Sequence, residues 1–390
     1  MLPGLRRLIF AETWPVILKG GYAANLSRHL VIMEAEIRGA AENTLIGLAV
    51  VGAGYWGPNL VRTALATPAL DLKWLCDLDL DRAKHVIGRQ ASVRPTDSLA
   101  DVLEDRDVRA VAIATPAATH YELVRAALDA GKHVLVEKPL TDSAAEAAKV
   151  VRQAAEAGLI LMCDHTYCYT PAIARVRQAI ADGEVGDLRF IDSVRINLGL
   201  VQPDVDVLWD LAPHDLSILD FVLPPGTQPV AIAAHSADPL GCGRACLAYL
   251  SVWLSTGALA HLHVNWLSPI KVRTTIFGGS KRTIVWDDMS PAARLMFHDR
   301  GVERVPDQAG PDERRLKLVS YRIGDMRVPA LPEREALLAV MTEFAAAITE
   351  RRAPLTDGGS GLRVLHALEA ASLSAENGGA RIALDDADYR

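Results

Sequence analysis

The sequence predicts an α/β protein with an N-terminal parallel sheet, flanked by helices, and a C-terminal α/β domain with a large, mostly antiparallel open sheet. Three observations support this prediction. Buried, aliphatic segments alternate with helical segments in the first half of the chain, which is typical of βαβ units. Strand-like segments separated by polar turns dominate the second half. The length of 390 residues is sufficient for two cores.

The first apolar strand runs directly into a glycine-rich turn. Ile46–Val51 is aliphatic throughout, and the next segment is Gly52-Ala-Gly54-Tyr-Trp-Gly57, a G-x-G-x-x-G. The first glycine permits a tight turn, the second lets the backbone approach a pyrophosphate, and the third allows close packing of helix on strand. A helix is predicted over Asn59–Thr67, with its N-terminal amides facing the phosphates. The alternative is a glycine-rich turn without a ligand, because the motif alone has low specificity.

The acid after the second strand bears on the choice of dinucleotide. Leu72–Cys76 is apolar and ends at Asp77, about the distance from the glycines expected of the carboxylate that binds a ribose 2′-hydroxyl. Asp79 and Asp81 follow before Arg82, so a 2′-phosphate would meet several negative charges. The pattern favours NAD over NADP. The alternative is that Asp77 is a solvated acid at a strand end.

Further βα units extend the parallel sheet. A third strand, Val108–Thr115, is followed by Pro116 and by a helix over Thr119–Ala130 that ends at Gly131. A fourth strand, His133–Val136, leads into Glu137-Lys138-Pro139; a helix over Ser143–Ala157 and a short strand over Leu159–Met162 come next. Ligands of open parallel sheets bind outside the carboxyl ends of the strands. The residues expected along one crevice are therefore Gly52, Asp77, Thr115 and Lys138.

Several of these segments together resemble the Gfo/Idh/MocA family of nicotinamide-dependent sugar and inositol dehydrogenases. They are Val51–Gly57, Ala114–Pro116 with His120, Glu137–Leu140, Asp164–Tyr167, Asp210 with His214 and Asp215, and Gly278–Lys281. The resemblance covers most of Leu45 to about Leu368. It is strongest to the branch that oxidises or reduces C3 of nucleotide-linked sugars, typified by the UDP-N-acetylglucosaminuronate 3-dehydrogenases. Trp56–Asn59 and Asp206–Asp210 carry that part of the resemblance.

The resemblance implies a division into a Rossmann domain and a domain for substrate binding and oligomerisation. We expect residues 45–165 to form the first and residues 166–390 the second. Residues 1–44 are an N-terminal extension that the resemblance does not cover. It has a basic, apolar segment, Leu5–Phe10, but Glu12 interrupts it and no A-x-A cleavage site follows. A start at Met33 and an arm that wraps a neighbouring subunit are the two interpretations left open.

Composition and charge argue against several classes of protein. Half of the residues are apolar and 23% are charged, as in ordinary globular enzymes. A net charge of −7 gives no indication of a nucleic-acid surface, and no apolar run reaches membrane-spanning length. We expect a cytoplasmic protein with a small-molecule sugar as its substrate and no nucleic-acid or membrane partner. The family resemblance implies a homodimer or homotetramer formed through the C-terminal sheet.

The cysteines are expected to be reduced and structural. Their number is five, which is odd, and the chain has no secretory signal, so thiols in a cytoplasm are predicted. Two groups lie close together in sequence, namely Cys163 with His165 and Cys168, and Cys242 with Cys246. Neither has the paired C-x-x-C spacing of a zinc site. We therefore predict no metal, with buried structural cysteine as the preferred interpretation.

Three residues have the properties that oxidation of a secondary alcohol requires. Lys138 lies at a strand end in the crevice, where desolvation would lower its pKa. His214 follows Pro213, the predicted first residue of a helix ending at Leu223, and the positive end of a helix dipole favours the neutral imidazole. Asp210 would orient that ring or bind a sugar hydroxyl. The resemblance implies that Lys138, Asp210 and His214 are the catalytic group. The alternatives are a surface turn lysine and a capping or core histidine.

Cofactor and substrate contacts follow partly from the motifs and partly from the resemblance. The predicted cofactor-binding residues are Gly52, Gly54, Tyr55, Trp56, Gly57, Asp77, Thr115, Pro116, His120, Glu137, Lys138 and His165. For His165, a core residue satisfied by the backbone is an equal alternative. The predicted substrate-binding residues are Lys138, Tyr167, Arg195, Asn197, Asp210, His214 and Arg273. Arg195 and Asn197 share a strand face, as do Lys271 and Arg273. Arginines there would bind diphosphate or carboxylate bidentately, the alternative being a solvated face or a subunit interface.

Residues and resemblance together predict an NAD-dependent oxidoreductase acting on a secondary hydroxyl or ketone of a sugar, at C3 of a nucleotide-linked sugar. A cyclitol or aminoglycoside-type sugar is the nearest alternative substrate. An NAD-retaining glycosidase, in which transient C3 oxidation acidifies C2 and drives elimination, is an alternative of another class. A non-catalytic NAD-responsive binding protein is the third, and the presence of Lys138, Asp210 and His214 argues against it.

Overall fold

A six-stranded parallel sheet forms the N-terminal half of the part described by the computed structural model, which covers residues 45–199, 201–202, 205–304 and 319–385. Its strand order is β3-β2-β1-β4-β5-β6, so the order reverses between β1 and β4 and places the ligand-binding crevice there. The strands are β1 Ile46–Val51, β2 Leu70–Cys76, β3 Arg94–Thr96, β4 Ala110–Ile113, β5 His133–Glu137 and β6 Leu161–Asp164. The helices are α1 Gly57–Ala66, α2 Leu80–Ile87, α3 Leu99–Glu104, α4 His120–Asp129 and α5 Ala144–Ala157.

A nine-stranded sheet forms the second half, with strand order β16-β13-β12-β11-β7-β10-β9-β8-β17. Its described strands pair antiparallel except for β7 with β10. They are β7 Leu188–Leu198, β8 Pro229–Ala237, β9 Leu247–Leu254, β10 Leu259–Asn265, β11 Leu267–Gly279, β12 Thr283–Asp287, β13 Leu295–His298, β16 Met326–Arg327 and β17 Ile382–Ala383. A separate hairpin pairs β14 Gly301–Arg304 with β15 Val319–Arg322. The predicted fold class is confirmed.

The helices of the second half are α6 Pro171–Ala181, α7 Val207–Val222, α8 Ala336–Glu350 and α9 Gly358–Glu376. Helix α9 packs on α7 and β8 and also on α5 and β6 of the parallel sheet. A Cβ on Gly361 would lie 3.1 Å from Leu140 Cβ and 3.3 Å from Cys163 Cβ, which shows how closely α9 approaches that sheet. The chain thus returns to the parallel sheet near its end. No helix in the described ranges is long and apolar enough to cross a bilayer.

Two predicted helix starts differ from the structure. Helix α1 begins at Gly57 rather than at Asn59, with Pro58 in its first turn, a position that proline's fixed φ favours. Helix α7 begins at Val207 rather than at Pro213, because the Asp206 side chain accepts a hydrogen bond from Trp209 N and caps the helix. Pro213 therefore lies inside α7. Residues 1–44, with the proposed arm or alternative start, lie outside the described residues.

A buried ion pair holds α7 on the nine-stranded sheet, and it corrects one substrate-binding prediction. Arg195 on β7 is 2% exposed. Its Nε and Nη2 donate to the two carboxylate oxygens of Asp215 on α7, both at 2.9 Å. Ser193, on the same face of β7, also donates to Asp215, at 3.0 Å. This face of β7 lies under the helix, so the Arg195 guanidinium, predicted to bind substrate, is instead occupied by Asp215.

Asp215→Ala is expected to lower the free energy of unfolding by about 3–5 kcal/mol, because it leaves the buried Arg195 guanidinium unpaired. Urea denaturation followed by circular dichroism measures the loss. Arg125→Ala is the matched control, since Arg125 bonds Glu122 and Asp129 on an exposed helix face and such pairs contribute about 0–1 kcal/mol. Equal losses in the two variants would contradict a structural role for the buried pair.

Candidate active site

The glycine turn after β1 is shaped by close backbone contacts at two of its three glycines. Gly52 has a φ of +101°, and a Cβ there would lie 2.6 Å from the Ala114 carbonyl oxygen. A Cβ on Gly57 would lie 2.3 Å from the Gly52 carbonyl oxygen. At Gly54 a Cβ would meet no described atom within 4 Å, so no contact within the protein requires glycine there. The pattern matches a turn whose middle glycine lets a ligand approach the backbone.

Asp77 closes this turn against the end of β2. Its Oδ2 accepts a hydrogen bond from Ala53 N at 2.6 Å, and its Oδ1 accepts one from Asp79 N at 2.8 Å. Arg82 lies 3.5 Å from Asp77 Oδ1 and 3.2 Å from Asp79 Oδ2. Tyr55 and Trp56 in the turn are both exposed. The predicted ribose-binding carboxylate, Asp77, therefore lies beside the glycine turn. Arg82 forms ion pairs with both Asp77 and Asp79.

His120 connects the carboxyl ends of β4 and β5. Its ring is buried, with Nδ1 2.8 Å from the Pro139 carbonyl oxygen and Nε2 2.9 Å from the Thr115 carbonyl oxygen. Burial lowers the pKa of His120, and a neutral imidazole has one N–H, so the ring can donate to one of these two carbonyl oxygens at a time. A contact of His120 with a cofactor stays a prediction. Thr115 remains partly accessible and accepts a hydrogen bond from the Thr119 hydroxyl at 2.7 Å, and Pro116 is exposed.

Lys138, immediately after β5, reaches across to α7. Its Nζ donates to the Asp210 carbonyl oxygen at 2.7 Å and lies 3.3 Å from Asp210 Oδ1. Asp210 Oδ2 accepts a hydrogen bond from Trp266 Nε1 at 3.1 Å. A proline inside a helix removes one N–H donor and displaces nearby carbonyls, and Pro213 lies three residues after Asp210. Trp266 is buried and gave no sequence signal of this contact, since its partner is 56 residues away.

His214 lies in the middle of α7, so its environment differs from the one predicted. Burial, followed by the charges of Lys138 and Arg195, holds the pKa of His214 well below its ordinary value. The cause is therefore not the helix N-terminus. Its Nδ1 is buried with no hydrogen-bond partner in the described part of the chain, and its ring meets the edge of Tyr167 with centroids 5.0 Å apart. His214 is neutral at neutral pH.

Glu137 and Asp164 are adjacent acids at the ends of β5 and β6. They are paired residues of the two parallel strands, and both are buried. Burial, followed by the charge of Asp164, raises the pKa of Glu137 well above its ordinary value, and burial raises the pKa of Asp164 to about 6. Asp164 Oδ2 has no hydrogen-bond partner among the described residues. Two buried carboxyl groups this close favour protonation of one of them, and Glu137 directly precedes Lys138 in the chain.

His165 lies just after β6 and is buried. Burial, followed by the charges of Lys138 and Arg363, lowers the pKa of His165 to about 3. Neither of its ring nitrogens has a hydrogen-bond partner within the described ranges. The interpretation of His165 as a core residue satisfied by the backbone is therefore corrected. Both ring nitrogens are buried, and a contact of His165 with a cofactor stays a prediction.

Tyr167 is the centre of the predicted substrate-binding group. The guanidinium carbon of Arg195 lies 4.4 Å from its ring centroid and that of Arg273 lies 5.8 Å away. Arg273 is paired with Arg195 in the β7–β11 register, and its side chain is 30% exposed and 3.4 Å from Asp288 Oδ2. Asn197 is half-buried further along β7. The structure thus brings Tyr167 and Arg273 close to His214, while Arg195 supports the Tyr167 ring from its ion pair.

Comparisons with known proteins agree with this geometry. Residues 46–165 match the GFO_IDH_MocA family model, an oxidoreductase family with an NAD-binding Rossmann fold. UDP-N-acetylglucosamine 3-dehydrogenase of Acidithiobacillus ferrooxidans is 28% identical over 82% of this chain and 93% of its own length. A solved structure of that enzyme, GnnA, has a TM-score of 0.70, with 27% identity, 85% of this chain covered and 98% of that chain.

A further relative bears on the cofactor. The scyllo-inositol 2-dehydrogenase (NADP(+)) IolW of Bacillus subtilis is 24% identical over 85% of this chain and 93% of its own length. The two relatives named here are a nucleotide-sugar dehydrogenase and an inositol dehydrogenase, and the second is specified as NADP-dependent. The resemblance inferred from the motifs is confirmed. Residues 46–165 thus match the Gfo/Idh/MocA family of NAD-binding oxidoreductases, and the chain is similar to the dehydrogenases named above over most of its length.

Proposed function

We propose that the protein is an NAD-dependent dehydrogenase or ketoreductase that acts on a secondary hydroxyl or ketone at C3 of a nucleotide-linked sugar. The observation that carries this proposal is the placement of Lys138, Asp210 and His214 at the carboxyl end of β5, next to the glycine turn. Lys138 is 15% exposed, so its ammonium group can meet a substrate oxygen while it stays bonded to Asp210. The similarity to UDP-N-acetylglucosamine 3-dehydrogenase over most of the chain supports the choice of sugar.

The residues at the crevice fit a dinucleotide. The open position beside Gly54 and the amides at the start of α1 suit a pyrophosphate. Asp77 lies at the end of β2, where a ribose hydroxyl would bind, and Thr115 lies at the end of β4. When bound, the nicotinamide accepts or returns a hydride. The partly exposed Trp56 and the exposed Tyr55 border the same turn and would cover the dinucleotide.

The proton has a defined route in this arrangement. During oxidation the C–H bond breaks as a hydride leaves, and the hydroxyl proton passes to the neutral imidazole of His214 as the C=O bond forms. The Lys138 ammonium stabilises the negative charge that develops on the oxygen. Asp210 fixes Lys138 through its carbonyl and carboxylate oxygens, and Trp266 fixes Asp210. In ketone reduction the same groups work in reverse, with His214 as the donor.

Arg273 and Asn197 are placed to contact the remainder of the substrate. Both keep accessible surface, Arg273 lies near Tyr167, and Arg273 is held loosely, with its Asp288 contact at 3.4 Å. A guanidinium that is only partly compensated can bind a phosphate oxygen, which supports a nucleotide-linked substrate. Assembly into a homodimer or homotetramer through the nine-stranded sheet, and a cytoplasmic location, remain predictions.

A panel of nucleotide-sugars, cyclitols and aminosugars, followed by NADH absorbance, tests the proposal. We expect turnover with nucleotide-linked sugars and stoichiometric NADH release.

Lys138→Met should lower kcat by about 10²–10⁴-fold while dinucleotide binding is nearly unchanged, because the variant loses only the group at the reacting oxygen. Glycoside cleavage without net NADH release would favour the retaining-glycosidase alternative, and near wild-type turnover of Lys138→Met would remove Lys138 from the catalytic group.

The ratio of kcat/KM for NAD to that for NADP is expected to favour NAD, because the Asp77 and Asp79 carboxylates would repel a 2′-phosphate. Asp77→Ser should reduce that ratio, since it removes one charge and leaves Arg82 with a single carboxylate partner. Asp81→Ser is a suitable control, because Asp81 bonds Lys84 on the exposed side of α2. A wild-type preference for NADP would show that Asp77 does not bind the ribose.

The pH dependence of alcohol oxidation should show the low pKa of His214. The base is neutral above its pKa, and burial and nearby cations place that pKa well below the ordinary value. We therefore expect kcat/KM for oxidation to stay level through neutral pH and to fall only on the acid side, while ketone reduction rises as pH falls. His214→Asn should lose this limb and most of the rate. An unchanged profile in that variant would assign the base role to Lys138.

A further inference from the structure

The loop between β8 and β9 brings two cysteines and an aspartate together, away from the glycine turn. Asp238 follows β8, Cys242 lies at the exposed tip, and Cys246 is fully buried just before β9. Gly241 and Gly243 have φ values of +67° and +79° and fold the loop back on itself. Each of the three side chains has an atom that can bind a metal, and these three atoms all lie within 4.8 Å of one another. In the described part of the chain, no other three His, Cys, Asp or Glu residues form such a group.

Four atoms of this loop lie close together, and the five distances that involve a sulfur match those of a tetrahedral site. The two sulfurs are 3.7 Å apart. Asp238 Oδ1 lies 3.5 Å from Cys242 Sγ and 3.9 Å from Cys246 Sγ. The Arg244 carbonyl oxygen lies 3.6 Å and 3.5 Å from the same two sulfurs. Around a tetrahedral Zn²⁺ with bonds of about 2.3 Å to sulfur and about 2.1 Å to oxygen, two sulfurs would be about 3.8 Å apart and a sulfur and an oxygen about 3.6 Å apart.

We propose that this loop, Asp238–Cys246, binds one Zn²⁺ ion through the two thiolates, the Asp238 carboxylate and the Arg244 carbonyl oxygen. Thiolate ligands select a thiophilic ion over Mg²⁺ or Ca²⁺. Four corners supplied by the protein make a closed, structural site rather than a catalytic one. This reverses the prediction of no metal, which rested on the absence of C-x-x-C spacing. The third ligand precedes Cys242 by four residues and the fourth is a backbone atom, so the spacing of cysteines did not reveal them.

Proton release should accompany metal binding. A thiol binds Zn²⁺ as the thiolate, so binding through Cys242 and Cys246 would release their protons.

The loop also supports the group at the candidate active site. The Ala245 carbonyl oxygen accepts a hydrogen bond from Val207 N, the first residue of α7, at 3.0 Å. The Cys246 carbonyl oxygen accepts one from Trp266 N, also at 3.0 Å. Helix α7 carries Asp210, and Trp266 bonds its carboxylate. Fixing the loop with a metal would therefore fix the position of Asp210, a consequence for catalysis that rests on the proposed function.

Metal binding by the full-length protein tests the site independently of activity. Protein treated with chelator and reductant is titrated with ZnCl₂ in competition with a chromophoric chelator, and separately with Co²⁺ while thiolate-to-cobalt absorption is recorded. We expect one ion per chain and thiolate absorption. Cys242→Ser and Cys246→Ser should abolish that absorption, and Asp238→Asn should weaken zinc binding. Cys76→Ala, which alters a buried cysteine at the end of β2, is the matched control and should bind like wild type.

Two results would overturn the proposal. One is zinc affinity in Cys242→Ser equal to that of the wild type and of the Cys76→Ala control. The other is a Cys242–Cys246 disulfide in protein kept with reductant, seen by intact mass spectrometry as a loss of two hydrogen atoms. Because Cys242→Ser changes an exposed side chain, it should fold, and circular dichroism checks that it does. If the wild-type protein binds zinc as expected but shows no dehydrogenase activity, only the proposed function is contradicted and the zinc site stands.

Discussion

The contact between Lys138 and Asp210 joins the two halves of the molecule at the point where the candidate chemistry occurs. Lys138 comes from the end of a parallel strand and Asp210 from the first turn of α7, 72 residues later. The ammonium group bonds both a carbonyl and a carboxylate oxygen, so its position is fixed in two directions. Trp266 fixes the other carboxylate oxygen from the nine-stranded sheet. This contact ties the parallel sheet, which carries the glycine turn, to helix α7, which carries Asp210 and His214.

Burial gives the neighbouring titratable groups separate roles. Desolvation lowers the pKa of His214 and of His165 and raises that of Glu137 and of Asp164. Neutral imidazoles at His214 and His165 add no positive charge beside the Lys138 ammonium, which is paired with the Asp210 carboxylate. Environments that move pKa values in opposite directions are the usual means by which acid and base functions are separated at one pH. The same burial makes the Arg195–Asp215 pair structural.

Helix α7 connects these features, since it carries Asp210, His214 and Asp215. It is held on the sheet by the Arg195 ion pair, at its start by the Asp206 cap and by the loop after β8, and along its side by α9. Pro213 interrupts its hydrogen bonding beside the carbonyl that Lys138 contacts. The helix is therefore placed by several independent contacts, which suits an element whose side chains must meet groups from the other domain.

The sequence by itself determined what depends on neighbours along the chain: the alternation of buried strands and helices, the glycine turn, the acid that follows β2, and the lysine at a strand end. The tertiary structure decided what depends on distant partners. It buried Arg195 against Asp215 and engaged His120 with two carbonyls, it brought Trp266 to Asp210, and it gathered the ligand atoms of the loop after β8. Local patterns show which residues share a face but not which face another element covers, because that depends on packing between segments far apart in sequence.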